Sequence, residues 1–435
     1  MKKSIRMLIL GDEGYTNITQ PAAFTRSLPF TVQQNGRNFR VNPSWTISGS
    51  RPAGKAYYVS TAGNDTNDGL TAGAPLRKMI TAIGKADIVE MYLIDATGAG
   101  FGSTNGFGSG SAFTKAVSII PYVEGQRITV GGFAEGLSYS LDSAPNDHTY
   151  KVARSNVAAV WDFLNIDAHG DATKLVSQAN EAAVEANPGS YYTDNVTLYI
   201  RTVDSRAPDF NLRVMFSTIS QAGRMVGNFT FYMKNIDLIG GETTAMVHGS
   251  GAGQNCIGYY DGCTFKYGRT GNGLTLTGGT AYLQNCVAAC NALDGFNYHA
   301  ANGVLPQIAE VGGCVGRDNG TAGDTIDNGS TIHDGGNIVR IGTEVMRSVG
   351  RPIHDVGTAT LSWNLGVYSH DSAASPQLAN FGAGTGGTSS TLMWLDCCRS
   401  IGSGTDIDVD AGCTVYTRNF QKDASNAGAG TVTGY

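Results

Sequence analysis

Lys234-Asn235-Ile236-Asp237, Asp261-Gly262-Cys263-Thr264, Gln284-Asn285-Cys286-Val287 and Gly312-Gly313-Cys314-Val315 are versions of one short phrase. Weaker copies follow at Ile341-Gly342-Thr343-Glu344, Trp363-Asn364-Leu365-Gly366, Leu395-Asp396-Cys397-Cys398 and Arg418-Asn419-Phe420-Gln421. Anchored on residues 236, 263, 286, 314, 343, 365, 397 and 420, the copies recur every 22 to 32 residues. Periods of that length mark solenoids, in which each unit is too small to bury its own apolar face and must stack on its neighbours.

The pattern inside each unit selects the solenoid. Gly273-Leu274-Thr275-Leu276-Thr277 and Thr331-Ile332-His333 alternate with period two, which is strand chemistry. No useful helix-period segment separates the strands, and the Leu-x-x-Leu-x-Leu pattern of leucine-rich repeats is missing. Short strands broken at Gly, Asn and Asp corners predict an all-β chain wound as a single-stranded parallel β-helix, with coils ~4.8 Å apart. Composition agrees. The 435 residues include 59 glycines, about twice the usual ~7 %, and only 15 % charged residues against a usual ~25 %. That disfavours helical bundles, while 41 % hydrophobic residues disfavour disorder.

The net charge of −6 comes from 30 basic and 36 acidic residues without a Lys/Arg cluster, so no nucleic-acid partner is expected. The apolar run Met7 to Leu10 is too short for the core of a secretion signal, and nothing approaches a membrane span. No membrane insertion and no secretion are expected. The eight cysteines form no CxxC pair and read as reduced core thiols.

Residues 1–53 lack the repeat, end in Ser48-Gly49-Ser50-Arg51-Pro52, and read as an N-terminal arm. Residues 54–87 read as an opening strand and a capping helix over Pro75 to Ala86, with Leu76, Met79, Ile80 and Ile83 on one face. Residues 88–435 read as the β-helix, with Ile88–Ala96, Val117–Gly132 and Val157–His169 as early turns. An insertion is expected around 170–215, containing a helix Ala172 to Ala186 and a strand Val196 to Val203.

Tyr57-Tyr58-Val59-Ser60-Thr61-Ala62-Gly63-Asn64-Asp65-Thr66-Asn67-Asp68-Gly69-Leu70, followed by Ala74-Pro75-Leu76, resembles the opening segment of right-handed parallel β-helix proteins of the pectin-lyase-like superfamily. Pro188-Gly189-Ser190-Tyr191-Tyr192-Thr193-Asp194 with Thr197-Leu198-Tyr199-Ile200 looks like a segment of glycan-acting β-helix proteins. The run from Leu293-Asp294-Gly295-Phe296-Asn297-Tyr298-His299 through Arg351-Pro352-Ile353-His354-Asp355 is similar to β-helix proteins of bacteriophages and prophages. The resemblance, over about residues 55–435, implies a right-handed helix and a role facing polysaccharide. It also implies a virion location after synthesis in the host cytoplasm, and contact with other virion proteins through residues 1–53. Homotrimers are the usual assembly of the family's spikes. The polygalacturonase pattern of paired aspartates and Gly-His-Gly is not matched, nor is a pectate-lyase calcium motif, and no cofactor is expected.

Histidines carry the candidate site. His248, His299, His333 and His354 each follow a core-type residue, so alternation predicts that all four face outward from one sheet. Asp294, Asp318, Asp324, Asp327, Asp334 and Asp355 crowd the adjoining corners, with Arg317 and Arg351. Carboxylates one and two coils apart would be ~5 Å and ~9.6 Å from each other. Those separations match the ~5 Å and ~6.5–9.5 Å of retaining and inverting glycosidases. A histidine or arginine could instead remove the proton beside a uronate carboxylate, as in a lyase. The candidate catalytic set is Asp294, His299, Asp324, Asp327, His333, Asp334, Arg351, His354 and Asp355. Three readings stay open: structural corners, a glycan-binding groove and a catalytic groove. They correspond to a virion spacer or adaptor, a spike contacting host surface polysaccharide, and a glycoside hydrolase or polysaccharide lyase. Asp406, Asp408 and Asp410 alternate on one strand face and are the candidate calcium ligands, although a charge-protected end coil explains them more simply. Gly382 to Gly387 matches GxGxxG without the strand and helix that dinucleotide binding requires.

Overall fold

The computed structural model describes residues 14–108, 113–373, 378–385 and 389–435. Residues Met7 to Leu10 and the glycines 386 and 387 of the GxGxxG stretch lie outside the described residues. Among the described residues, three parallel sheets of twelve, nine and eight strands run along the chain. One coil shows the plan. Thr230–Lys234 joins the twelve-strand sheet, Ile236–Ile239 the eight-strand sheet and Met246–Gly249 the nine-strand sheet, before Ile257–Asp261 returns to the first. Each strand pairs in parallel with its counterpart one coil on, Thr230 beside Ile257 and Met246 beside Leu274. This is the all-β parallel β-helix anticipated from the repeat.

The repeat phrase is the corner between the twelve- and eight-strand sheets. A single left-handed residue turns the chain: Asn235 at φ 50°, Gly262 at 65°, Asn285 at 54°, Gly342 at 66° and Asn419 at 52°. Glycine and asparagine tolerate that conformation best, which is why they recur there. The next side chain drops into the core, and Ile236, Cys263, Cys286, Cys314 and Cys398 are all fully buried. The eight-strand ladder aligns Glu344 with Tyr368 and Tyr368 with Arg399, so the true sixth and seventh anchors are Val367 and Cys398, not Leu365 and Cys397. All eight thiols are free, and seven are buried.

The described part of the N-terminal arm is folded onto the rod. A hairpin, Val32–Asn35 with Asn38–Val41, lies across the outer face of the twelve-strand sheet. Phe24 is fully buried there, its ring 5.9 Å from Trp363 and 6.4 Å from Trp394. Arg26 donates to the Ile308 carbonyl and lies over the Tyr282 ring. Ile47, just before the stretch that reads as a linker, is buried as well.

The capping helix is Met79–Ile83, shorter than expected. Met79, Ala82 and Ile83 close the core and Leu76 bridges to Val59, whereas Ile80, expected on the buried face, is exposed. The early turns 88–96 and 117–132 supply the strands Glu90–Ile94, Val117–Pro121 and Ile128–Gly131. Val157–Ile166 does not: it pairs antiparallel with Ala172–Lys174 and Leu212–Phe216 in a lobe beside the rod. A second antiparallel group, Tyr150–Ala153, Ser190–Thr193 and Thr197–Arg201, extends the lobe, so it begins well before residue 170. Its helix is only Glu181–Ala186, capped by the Asn180 side chain; Ala172–Lys174 is strand, paired antiparallel with Val157–Ile166, and its Ala172 packs against Ile239 and Tyr267 of the rod.

Candidate functional site

The nine-strand ladder fixes where each histidine points. One inward file is Met246, Leu274, Phe296, Ser330, Ile353 and Phe381, and the next is His248, Leu276, Tyr298, Ile332, Asp355 and Ala383. Between them lies an outward file of Val247, Thr275, Asn297, Thr331, His354 and Gly382. His299 follows Tyr298 and His333 follows Ile332, in a second outward file. The four histidines therefore do not form one column. His248 is a core residue between Phe231 and Tyr260, its Nε2 donating to the Cys256 carbonyl at 3.0 Å.

Three of the four remain together on the outer surface. The His299 and His333 rings stack with centroids 4.0 Å apart. His299 Nδ1 donates to Asp334 at 3.2 Å, the tautomer that in a neutral ring leaves the lone pair on Nε2. The Thr331 hydroxyl donates to the His354 carbonyl, so at 3.1 Å its oxygen accepts from His333 Nε2. His354 Nε2 donates to the Gly384 carbonyl at 3.0 Å. Burial, reinforced at His333 by His299 and at His354 by Arg351, pulls both rings down to about 4, so both are neutral near pH 7. Arg351 pairs with Asp408 on this face. Gly382 is what lets it lie there, because a Cβ at that position would stand 2.2 Å from Arg351 Cδ and 2.7 Å from His354 Cδ2.

The other nominated acids are elsewhere. Asp355 points into the rod, fully buried, and takes two hydrogen bonds of 2.8 Å from Arg340. Arg340 is equally buried, donates to Ser330 and Asn364, and stands 3.6 Å from Glu310. Glu310 in turn accepts from Tyr298 and Ser330. Sequence reading missed Arg340 and Glu310 entirely. Asp294 is buried at the corner before the nine-strand sheet, where it accepts from Asn297 and the Asn328 backbone. Burial, with Asp327 adding to it, pushes its carboxyl up to about 7. Asp327 is buried in the same corner and accepts from the Thr321 backbone at 3.2 Å, while Asp324 caps an exposed loop. Of the nine nominated residues, His299, His333, Asp334, Arg351 and His354 share one face. The geometry adds Thr331 and Asp408 to them; Gly382, opposite His354 in the ladder, is the signal that would have found the Arg351 seat. Asp406 instead accepts from the Ala424 backbone, and the Asp406, Asp408 and Asp410 trio assembles no metal-ligand cluster among the described residues.

No family model and no curated protein matches this sequence. Among solved structures the chain is similar to a glycoside hydrolase at 9 % identity, covering 88 % of this chain and 96 % of that one, with a TM-score of 0.49. It is also similar to the pectate lyase Pel9A at 13 % identity (88 % and 80 %, TM-score 0.39). A third likeness, to XylC in complex with xylose, stands at 10 % identity (85 % and 70 %, TM-score 0.37). The fold assignment rests on the strand pairing itself, and at these identities no activity is carried across.

His248 gives this ladder a pH signature. Burial holds its ring at about 4, against an ordinary 6.5. The unfolded chain therefore takes up a proton that the folded chain refuses, and stability is lost as pH falls from 6.5 to 4. His248→Phe removes that loss, and the Cys256 carbonyl keeps a partner in the Thr280 backbone. Urea unfolding at stepped pH is expected to show the variant gaining on wild type by about 1.4 kcal/mol per pH unit in that window. Parallel pH profiles would contradict it.

Proposed function

We propose that this protein contacts a polysaccharide along the outer face of its nine-strand sheet, as a β-helix rod of the phage spike or fibre type. The observation that carries the proposal is the stacked His299–His333 pair, ordered by Asp334 and Thr331 and flanked by Arg351 against Asp408. His299 and Asp334 are 39 % and 49 % exposed. Such an open, polar, ring-bearing surface suits a long chain passing across it better than a small enclosed ligand. The virion setting, with residues 1–53 toward other virion proteins and bacterial surface polysaccharide as partner, is supported by the motif resemblance between residues 293 and 355.

A catalytic version of the same reading favours elimination over hydrolysis. Hydrolysis needs two carboxyl groups flanking the scissile bond, whereas Asp355 is inside the rod, Asp294 and Asp327 are tied into a buried corner, and the two acids of the face, Asp334 and Asp408, are engaged by His299 and Arg351. Elimination needs one base and a cation near the uronate carboxylate. His299 Nε2 would take the C5 proton of a uronate held by Arg351. The C–H electrons form the C4–C5 double bond, the C4–O bond breaks, and the departing oxygen takes a proton from water.

Incubation with acidic capsular polysaccharides, lipopolysaccharide and pectin tests these roles, reading new reducing ends and the ultraviolet absorbance of unsaturated ends. Elimination yields both signals, and His299→Ala is expected to lower the rate at least a hundredfold. Reducing ends without unsaturation would refute elimination. Binding without products leaves a receptor-binding spike, and neither binding nor products would refute the polysaccharide role in favour of a structural spacer.

A further inference from the structure

A second site lies where the lobe meets the first coils, outside the eight-strand sheet. A cavity of about 330 Å³ opens between Thr61, Thr97 and Gly100 of the opening coils and Phe133, Tyr139, Phe210 and Arg213 of the lobe. That volume is within the ~300–1,000 Å³ range of small-molecule pockets. It continues into a groove of about 710 Å³ lined by Asn64, Asp65, Arg77 and Lys78, the two sharing Arg77, Asn105, Glu135 and Gly136.

Its unused hydrogen-bonding capacity is mostly on donors. Arg213 is only 6 % exposed, stacks on Phe133 at 4.6 Å and donates to the Phe210 carbonyl, yet its Nε has no partner. Among the described residues it makes no ion pair, and burial pulls its guanidinium down to about 10 despite Asp95, Asp209 and Glu135 nearby. The Tyr139 hydroxyl is buried without a partner. Arg77 is exposed at the junction of cavity and groove. The carboxylate acceptors, by contrast, are occupied, and Asn105 Oδ1 is a buried amide acceptor of the lining left without a partner. Glu135 takes the Gly102 and Thr104 backbone N–H groups and Asn105 Nδ2, at 2.6, 3.1 and 3.0 Å. Asp95 takes the Thr97, Gly98 and Gly100 N–H groups. Phe210, 51 % exposed, stands at the rim as a flat apolar plate.

An arginine desolvated with no carboxylate in ion-pair contact, an orphaned phenol and an aromatic plate beside a groove ask for one kind of ligand: a polyhydroxylated ring bearing a carboxylate. We propose that this cavity binds an acidic sugar, a hexuronate unit of a saccharide chain, with its carboxylate on Arg213 and Tyr139 and its ring against Phe210, the chain leaving through the Arg77 groove.

The test is calorimetric titration of full-length protein carrying His299→Ala and Arg351→Ala with D-galacturonate, D-glucuronate and D-galactose. In that background, binding belongs to the cavity and failure of the nine-strand face cannot be mistaken for failure here. Either uronate is expected to bind at least tenfold more tightly than galactose. Adding Tyr139→Phe, Arg77→Ala or Arg213→Met should each weaken uronate binding about tenfold. Tyr139→Phe removes only the orphaned hydroxyl and is expected to leave the thermal midpoint unchanged, so it stays informative if Arg213→Met fails to fold. Galactose binding as tightly as the uronates, no uronate binding, or uronate binding indifferent to Tyr139→Phe and Arg77→Ala would each overturn the proposal.

Discussion

Arg340→Met is expected to destabilise the rod by about 3–5 kcal/mol, because it strands Asp355 and Glu310 as buried acids without their cation. Arg340, Glu310 and Asp355 are all fully buried, and Arg340 supplies both hydrogen bonds of the Asp355 pairing. The triple variant Arg340→Met, Glu310→Gln, Asp355→Asn removes the stranded charge and should recover most of the loss. Burial raises the Glu310 carboxyl above its ordinary range even with Arg340 present. A carboxyl with a raised folded pKa favours the folded chain as pH falls, so the single variant should regain part of its loss between pH 8 and pH 5. Urea unfolding across that range measures both effects. A single variant within 1 kcal/mol of wild type, about the size of an ordinary surface change, would show that the pair contributes little.

This network marks the limit of what the sequence discloses. The coil was legible because one left-handed corner per turn favours Asn or Gly and the next position favours an inward apolar residue, as in Asn285-Cys286. A period-two pattern fixes alternation but not phase. Met246-Val247-His248 reads equally well either way, and Met246, not Val247, is the core residue. Arg340 and Asp355 occupy inward positions that a pattern of apolar residues assigns to solvent, because each is buried against the other across the interior of the rod, 15 residues apart in sequence. The register between coils is invisible for the same reason: loop lengths place His354 beside Thr331, not beside His333. The lobe was legible only from about residue 170, because its first strands, Tyr150–Ala153 and Val157–Ile166, have the same alternating look as the rod and differ only in partner.

Phe24→Ala is expected to cost about 3–5 kcal/mol in the attachment of the N-terminal strap, the usual loss for emptying a fully buried phenylalanine site. Phe24 packs against Trp363 and Trp394, so the loss has an optical reporter. If the strap lifts, tryptophan emission should move to longer wavelength and acrylamide quenching should rise. Proteolysis should then cut first between residues 14 and 53, while the parallel sheets, whose pairings do not involve Phe24, keep their far-ultraviolet dichroism. Unchanged emission and an intact strap would mean that Arg26, Phe30, Val32 and Ile47 hold it without the ring. Strap and rod would also unfold as one cooperative unit in wild type and separate in the variant.

The nine-strand face is the centre of the functional account, and equilibrium binding tests it most directly. Wild type, His299→Ala and Arg351→Ala are titrated against one panel of acidic capsular polysaccharides, with thermal midpoints recorded as a folding control. The account predicts a polysaccharide bound by wild type whose affinity falls at least tenfold in both variants, at unchanged midpoints, since each removes a charge-assisted or ring contact on the exposed face. Binding that survives both substitutions undiminished would contradict it.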